Sequence, residues 1–430
     1  MTDPRRVAIA SAIGTTIEWY DFFIYGTAAA VVFAPQFFPQ VSPLAGTLAS
    51  FATFAIGFVA RPLGGVVMGH LGDRVGRRST LVWCLVLMGL STFAIGLLPN
   101  YATLGVWAPI LLVTCRFVQG FALGGEWGGA VLMSVEHAPQ DRRGFYGSFV
   151  ALGLPAGIIL SNLVFLIASS LVSPDEFAAW AWRVPFLASI VLVGVGMYVR
   201  LGLTESPVFE EALRAGAPRR LPVVDVLRTD GRTVLLAAGS YLAISALGYI
   251  VIVYFVSYAT RQLGFPLATT LGLLLLAALV FAGSILAFAT WSDRLGRRRI
   301  MRWSCGALIA WSLVFFPLID TRSVPLAGLA VCGMLFVQGA YIGPQAAVFA
   351  ELFPTALRYS GASLSLTLGT IFGGAIAPFV ATALFSATGR STLVTAYGTT
   401  LAVISWLCVL GLMETYRRDL SSPRDRTAPT

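Results

Sequence analysis

Five charged side chains stand inside long apolar stretches of the sequence, and all of them lie in its first half. They are Glu18, Asp21, Arg61, Arg116 and Glu126. Because an isolated charge is costly to hold in apolar surroundings, each is a candidate for carrying a proton or contacting a charged ligand. The alternative for each residue is a static buried ion pair that holds neighbouring segments together.

Glu18 and Asp21 are spaced to act as a pair of carboxylates. They are three residues apart, so on a helix they share a face, and Tyr25 follows one turn later. Carboxyl groups that are close together and partly buried hold protons more readily than solvated ones. We therefore predict that Glu18 and Asp21 take part in proton coupling, with Tyr25 as a ligand contact.

Arg116 is a candidate for binding an anion. Its guanidinium stays charged and needs a partner, which is either a carboxylate of the first apolar stretch or the carboxylate of a ligand. We predict proton coupling and ligand binding for Arg116, and ligand binding for Arg61 and for Gln119, one turn further along the same face. Glu126 stands between two Gly-Gly pairs. It either joins the proton pathway or caps a contact between closely packed helices.

The second half of the sequence lacks this charge chemistry. The residue that corresponds to Arg116 there is Leu335. Its apolar stretches instead carry neutral hydrogen-bonding groups, and we predict that four of them bind the ligand: Tyr249, Gln338, Tyr341 and Gln345. For the tyrosines, packing in the core or at the membrane interface is the alternative.

Four short sequences recur in the same order, with offsets of 209 to 220 residues. This pattern indicates a duplicated protein whose two halves run in the same direction. The most basic of them carries Asp73, Arg74, Arg77 and Arg78 in the first copy, and Asp293, Arg294, Arg297 and Arg298 in the second. Another pairs Glu136 with Arg143, and Glu351 with Arg358. We predict that these charges form a cytoplasmic gate between the halves; the alternative is that they only mark one side of the membrane.

The composition is that of an integral membrane protein. Of the 430 residues, 57% are hydrophobic and 11% are charged, whereas soluble domains carry about 25% charged residues. The apolar stretches are too long for globular strands and lack the alternation of a membrane barrel, so we predict an all-α fold. The net charge of +9 comes from arginines scattered over short connections, which argues against nucleic acid binding. We predict no cofactor, metal site or catalytic residue, because no metal-ligand cluster or nucleophile–base pair is evident.

Twelve transmembrane helices are predicted, since each needs roughly 20 apolar residues. Their approximate bounds are 8–34, 45–70, 80–98, 105–133, 145–171, 182–202, 233–259, 268–291, 300–319, 325–348, 361–387 and 392–413. Connections after even-numbered helices are rich in arginine and those after odd-numbered helices almost lack it. By the positive-inside rule, both termini are predicted to be cytoplasmic.

The predicted spans divide into two six-helix repeats. We expect bundles at 1–202 and 233–414, joined by a cytoplasmic linker at 203–232. That linker is the longest polar connection and contains three prolines. Residues 415–430 are predicted to form a short cytoplasmic tail.

Several of these sequences resemble those of one transporter superfamily. The loop Gly69-x-x-Gly72-Asp73-Arg74-x-Gly76-Arg77-Arg78 is similar to the signature loop of the major facilitator superfamily. Arg116-x-x-Gln119-Gly120 resembles its fourth-helix motif, which is associated with proton coupling. Five further motifs resemble the metabolite:proton symporter family within it: Glu18-Trp19-Tyr20-Asp21-Phe22, Arg61-Pro62-Leu63-Gly64-Gly65, Gly124-Gly125-Glu126-Trp127-Gly128-Gly129, Trp182-Arg183-Val184-Pro185-Phe186 and Glu205-Ser206-Pro207-Val208-Phe209. The resemblance covers nearly all of residues 7–414, and residues 37–78 and 107–139 are most similar to the shikimate transporter group.

This resemblance implies the major facilitator fold in a bacterial cytoplasmic (inner) membrane. Members of the family carry shikimate, 2-oxoglutarate, citrate, aromatic acids, or proline and betaine. The osmosensing proline/betaine branch has a long C-terminal coiled coil, whereas residues 415–430 are short and have no heptads. Drug antiporters carry a Gly-Pro pair on helix 5, which Gly153-Leu154-Pro155 lacks. These departures disfavour osmosensing and efflux.

The residues and the resemblance together predict a monomeric, proton-coupled symporter that imports a small carboxylated metabolite, such as shikimate or 2-oxoglutarate, by alternating access. Its predicted partners are this substrate, protons and the lipid bilayer. The alternatives are a proton-coupled exporter, betaine or proline uptake, and a membrane sensor with a transporter fold. A sensor usually needs a soluble output domain, for which the predicted spans leave no room, and no enzyme activity is predicted.

Overall fold

The computed structural model describes residues 4–75, 77–124, 134, 138, 142–201, 222–354 and 357–416. Its twelve long helices are α1 (Pro4–Val31), α2 (Pro43–Val75), α3 (Arg77–Leu97), α4 (Trp107–Leu123), α5 (Arg143–Ser170), α6 (Val184–Leu201), α7 (Pro222–Tyr249, continuing through Ile250–Tyr254 to Phe255–Arg261), α8 (Leu267–Leu295), α9 (Arg297–Asp320), α10 (Val324–Leu352), α11 (Arg358–Thr388) and α12 (Thr392–Gly411). Short helices at Phe33–Phe37, Tyr101–Leu104 and Pro174–Ala179 lie in three connections. Each predicted span corresponds to one long helix and the described residues contain no strand, so the all-α, twelve-helix prediction is confirmed.

Length and apolar composition explain why these segments are helices in a membrane. Nine helices of the described part are long and apolar enough to span one, and Val82–Leu97 and Trp107–Leu123 are shorter apolar helices. In the most apolar stretches, 89% of α7 and 72% of α10 is buried, against 28% of α12. α7 and α10 therefore lie at the centre of the bundle, whereas most of α12 faces outwards.

The helices continue further into the repeated basic sequences than the glycines there suggest. α2 continues to Val75 before α3 begins at Arg77, and α8 ends at Leu295 before α9 begins at Arg297. Between α8 and α9, Gly296 adopts a φ of +97°, which residues with a Cβ rarely adopt. Gly296 is therefore the single residue that separates α8 from α9.

α7 begins inside the predicted linker. It starts at Pro222 and bends at Asp230, whose φ of −127° and ψ of 19° are not helical. Residues 202–221 and 417–430 lie outside the described residues. The linker at 203–232, the two bundles that it separates and the tail at 415–430 therefore stay predictions.

The two halves of the chain pack along several helix pairs. α5 contacts α8 and α10, α2 contacts α11, and α1 contacts α7. Wider π-helical turns interrupt α7 at Ile250–Tyr254 and α11 at Thr370–Ala375. Such turns are rare and are frequent at functional sites. Ile252 and Thr370, which belong to them, line the cavities between the halves.

Candidate functional site

Two small cavities lie between the halves. The larger has a volume of about 40 Å³ and is lined by residues of α1, α2, α5, α7, α10 and α11. The smaller has a volume of about 20 Å³ and is lined by α1, α5, α7, α8 and α10. A buried water needs about 10–15 Å³ on this measure. The cavities therefore have room for a few waters and are too small for a ligand of several heavy atoms in this conformation.

Five of the predicted site residues meet at these cavities. Glu18, Arg61 and Gln345 line the larger one, and Tyr249 and Gln338 line the smaller one. Glu18 and Arg61 come from the first half, and the other three come from the second half. The structure thus brings charged groups of one half together with neutral polar groups of the other.

Most of the other cavity-lining residues were not among the predicted site residues, and several of them carry polar atoms. Trp19 and Tyr241 line both cavities, and Ser245 lines the smaller one. Ser245 and Tyr241 lie four and eight residues before Tyr249 on α7. For these two residues, helical spacing from Tyr249 was therefore the available signal.

Arg61 brings a positive charge with unused hydrogen-bonding capacity to the larger cavity. Its Nε and Nη2 atoms are buried and have no hydrogen-bond partner among the described residues. Its guanidinium carbon lies 4.8 Å from the centre of the Phe22 ring and 5.0 Å from that of Phe58. Because buried guanidinium donors normally find acceptors, Arg61 is well placed to receive an anionic group that enters this cavity.

A second polar cluster lies within the first half, outside the linings of both cavities. Gln119 Oε1 accepts a hydrogen bond of 2.5 Å from Arg116 Nη1. Gln119 Nε2 donates to Thr92 Oγ1 at 2.9 Å and to the backbone carbonyl of Asp21 at 3.3 Å. The cluster is almost fully buried and ties α4 to α1 and α3.

Asp21 and Arg116 are close but are not bonded to each other. Within the part of the chain that the structure describes, neither carboxylate oxygen of Asp21 has a hydrogen-bond partner, and Nε and Nη2 of Arg116 have none. The Arg116 guanidinium carbon lies 4.1 Å from the ring centre of Phe22 and 4.2 Å from that of Tyr25. The pairing of Arg116 with a first-helix carboxylate, as considered from the sequence, is therefore not formed with Asp21 in this conformation.

Tyr25 and Gly57 shape the space around Arg116. Tyr25 is fully buried and donates a hydrogen bond of 2.7 Å to Thr53 Oγ1, so it contacts Arg116 rather than a cavity. A Cβ at position 57 would lie 2.6 Å from Arg116 Nε. The guanidinium thus fits beside α2 because residue 57 is glycine.

The second half contributes polar atoms whose hydrogen-bonding capacity is unused. Four atoms of cavity-lining residues are buried without a hydrogen-bond partner in the described part of the chain: Ser245 Oγ, Tyr249 Oη, Gln338 Nε2 and Gln345 Nε2. Tyr341 differs from them, because its hydroxyl shares a hydrogen bond of 2.7 Å with Ser240 Oγ and it lines neither cavity. The structure therefore places Tyr341 in the packing between α7 and α10.

A carboxylate of the second half caps a helix of the first half. Where α8 meets α9, which we call the arginine-rich end, Asp293 accepts hydrogen bonds from the backbone N–H groups of Gly144 and Phe145 at 2.9 and 3.0 Å. These donors belong to the first turn of α5, where helix N–H groups lack intrahelical partners and the helix dipole favours a negative charge. Asp293 therefore joins the halves directly.

Arg297 links this cap to a buried acid on α10. Its Nη1 lies 3.3 Å from Asp293 Oδ1, and its Nε and Nη2 contact the two carboxylate oxygens of Glu351 at 2.7 and 2.8 Å. Arg143 of the first half approaches Glu351 to 4.0 Å. The second copy of the predicted gate is thus a connected charge network that spans both halves.

Other predicted gate residues have separate places. The Arg298 side chain donates to the carbonyls of Val409 and Leu410 at the end of α12. Glu414 accepts hydrogen bonds from the backbone N–H groups of Arg297 and Arg298, which caps the start of α9. Arg294 is exposed, whereas Arg358 is buried. The remaining predicted residues lie outside the described residues or side chains: Asp73, Arg74, Arg77, Arg78, Glu126 and Glu136.

The opposite end of the bundle also carries a contact between the halves. Arg261 at the end of α7 donates a hydrogen bond of 2.5 Å to Thr47 Oγ1 near the start of α2. Between the two ends, the Tyr249 ring contacts those of Phe58 and Phe54 at centroid distances of 5.2 and 5.6 Å. In the part of the chain that the structure describes, the halves are therefore in contact at both ends of the bundle.

Comparisons with known proteins agree with this architecture. A family model described as the Major Facilitator Superfamily matches residues 11–378. The inner membrane metabolite transport protein YhjE of Escherichia coli K12 is 43% identical over 417 residues, covering 96% of this chain and 94% of its own length. The shikimate transporter of the same strain is 41% identical over 394 residues, covering 89% and 88%. A structure of the proton:xylose symporter XylE is similar in fold, with a TM-score of 0.75 at 15% identity over 97% of each chain.

Proposed function

Since this chain belongs to the major facilitator superfamily, and is thus a membrane transporter rather than an enzyme, we propose that it imports a small carboxylated metabolite with protons. The observation that carries this proposal is Arg61, which lines a cavity between the halves together with Glu18 and has two nitrogen atoms without a hydrogen-bond partner among the described residues. Shikimate and 2-oxoglutarate are the first candidate substrates. The 41% identity to a shikimate transporter supports testing shikimate first.

We assign the substrate carboxylate to Arg61. A guanidinium presents parallel N–H donors that match a carboxylate in geometry and charge, and Arg61 is the predicted arginine that lines a cavity. The amide of Gln345, the amide of Gln338 and the hydroxyl of Tyr249 lie across the same interface. These neutral groups would then bind the uncharged part of the substrate once the cavity enlarges.

We assign the transported proton to Asp21, with Glu18 closer to the cavity. In the observed arrangement, Arg116 contacts Gln119 and the rings of Phe22 and Tyr25 and is not bonded to Asp21 among the described residues. Release of a proton from Asp21 creates a carboxylate that attracts the nearby guanidinium. Proton binding and release would therefore move Arg116 between two sets of partners.

We further propose that the arginine-rich end is the cytoplasmic gate. The positive-inside rule places arginine-rich connections in the cytoplasm, together with both termini. Opening this end requires Asp293 to leave the start of α5 and Arg143 to separate from Glu351. Opening the opposite end requires Arg261 to leave Thr47. One chain supplies both sides of the site and both gates, so a monomer is sufficient for the transport cycle.

Uptake into proteoliposomes tests this function. Radiolabelled shikimate, 2-oxoglutarate, citrate and betaine are supplied outside, with and without an inward proton gradient. We expect gradient-driven accumulation of one of the acids, abolished by a protonophore. Accumulation of betaine alone would replace the acid by a zwitterion. Movement in the opposite direction, or of cationic dyes, would replace import by proton-driven export.

A further inference from the structure

The Phe22 ring lies against two arginines that belong to different parts of the site. Arg116 is 4.1 Å and Arg61 is 4.8 Å from its centre, measured from the guanidinium carbons. Arg61 lines the larger cavity, whereas Arg116 belongs to the buried cluster with Gln119. Phe22 itself is fully buried. Its ring therefore stands between the substrate contact and the proton cluster of the proposed function.

The two arginines need this ring because both are short of hydrogen-bond acceptors. Nε and Nη2 of each have no partner among the described residues, and the two cations are near enough to repel each other. The face of an aromatic ring carries negative charge density and attracts a guanidinium, most strongly where water is excluded. Phe22 thus offsets part of the cost of holding two positive charges inside the protein.

Phe22 is also positioned to pass a change from one arginine to the other. It follows Asp21 directly in α1, and its ring contacts those of Phe54, Phe58 and Tyr249 at centroid distances of 5.0, 4.6 and 6.0 Å. Tyr249 belongs to the second half, so the contacts of the Phe22 ring also depend on how the two halves are arranged. No hydrogen-bonded chain between Arg61 and Arg116 is evident in the described residues, which leaves the shared ring as their direct contact.

We propose that Phe22 is the positioning residue that couples substrate binding at Arg61 to the proton state of Asp21. The inference rests on the proposed symport. A substrate carboxylate bound to Arg61 neutralises the charge of this arginine and so removes its repulsion of Arg116. The Phe22 ring can then move together with Arg116 alone. The position of Arg116 in turn decides how strongly Asp21 is attracted to it. Without the ring, Arg116 pairs with the deprotonated Asp21 whether or not Arg61 holds substrate, and the substrate no longer influences the proton.

The test compares Phe22→Leu with Phe22→Tyr in proteoliposomes. The probe is radiolabelled shikimate, or 2-oxoglutarate if the wild type accumulates that acid instead. Gradient-driven accumulation measures coupling, and exchange of internal for external substrate at equal pH measures binding and movement alone. For Phe22→Leu we expect accumulation to fall by about tenfold or more while exchange stays within about threefold, the sizes that separate a lost coupling step from lost binding. Phe22→Tyr keeps the ring and should restore accumulation.

Phe165→Leu is the matched control. Phe165 lies on α5, is equally buried, contacts Phe177 at a centroid distance of 6.3 Å and lines neither cavity. This variant loses a ring of the same size and should retain the wild-type ratio of accumulation to exchange. If Phe22→Leu keeps that ratio, or Phe165→Leu loses it to the same degree, the role of Phe22 is wrong. If the wild type itself shows no gradient-driven accumulation, the proposed symport fails and this inference fails with it.

Discussion

At the scale of single residues, the site keeps an acid and a base apart although both are buried. Asp21 is not bonded to Arg116 within the described part of the chain, and Arg116 contacts Gln119 and aromatic rings instead. A buried ion pair gains little over well-packed neutral groups once desolvation is counted. An unformed pair can therefore be switched by one proton, whereas a permanent pair would need a much larger perturbation.

Asp21→Asn is expected to abolish proton-driven accumulation. Asparagine has nearly the same shape but cannot bind and release the proton that drives net uptake. We expect accumulation to fall by at least about tenfold while exchange at equal pH persists, because binding at Arg61 is untouched. Asp175→Asn removes an exposed acid outside the long helices and should leave both activities unchanged. Proton-driven accumulation by Asp21→Asn would contradict the assignment.

Charge identifies some of these residues from sequence and misses others. Glu18, Asp21, Arg61 and Arg116 stand out because ionisable groups are rare in apolar stretches. Phe22 gives no such signal, since one more aromatic residue in an apolar helix is unremarkable. Tyr341 shows the converse problem. Its hydroxyl group is suited to a ligand, but only the structure reveals that this hydroxyl is already hydrogen-bonded to Ser240.

At the scale of helices, α2 packs closely against α4 because Gly57 has no side chain. A Cβ at this position would lie only 2.6 Å from Arg116 Nε. The position of this guanidinium is therefore set by a helix that contributes no side chain at that point.

Gly57→Ala is expected to displace Arg116 and impair uptake. The added methyl group overlaps the guanidinium, and overpacking of this kind costs about 1–3 kcal/mol of stability. We expect a lower midpoint of thermal unfolding in detergent and a loss of proton-driven uptake. Gly272→Ala is the matched control, because a Cβ on that helical residue meets nothing within 4 Å. Normal uptake by Gly57→Ala would show that Arg116 can work from another position.

The helices themselves follow from the sequence more fully than their ends do. Long apolar runs leave few alternatives to a helix in a membrane, so every predicted span has a counterpart. The basic loops were harder to predict, because their glycines and charges suggest a turn. In the structure α8 and α9 are separated by Gly296 alone. Helix ends depend on capping partners such as Asp293 and Glu414 that come from distant parts of the chain.

At the scale of the whole molecule, the halves contact each other at both ends of the described bundle. The arginine-rich end is held by Asp293 on α5 and by Arg143 near Glu351, and the other end by Arg261 on Thr47. Alternating access needs each set to break while the other holds. The balance between them sets which side of the membrane the cavity faces.

Glu351→Gln is expected to open the arginine-rich end. Removing the charge of Glu351 weakens its contact with Arg143 of the first half, which belongs to the closed arrangement of this end. The readout is labelling of Ala346→Cys, which lines the larger cavity, in a background without the five native cysteines. We expect a membrane-impermeant maleimide to label it about tenfold faster or more from the arginine-rich side. Arg294→Gln, an exposed residue of the same end, should not change the rate; unchanged labelling in Glu351→Gln would contradict the gate.

The cap that Asp293 places on α5 arrives late in the synthesis of the chain. A ribosome completes the first six helices well before it reaches residue 293. Until then, the N–H groups of Gly144 and Phe145 lack the Asp293 carboxylate to which they donate in the folded chain. The start of α9 waits longer still, for Glu414 near the end of the chain. The first half therefore reaches the helix caps of the folded molecule only after the second half has been made, and until then water must satisfy the first turn of α5.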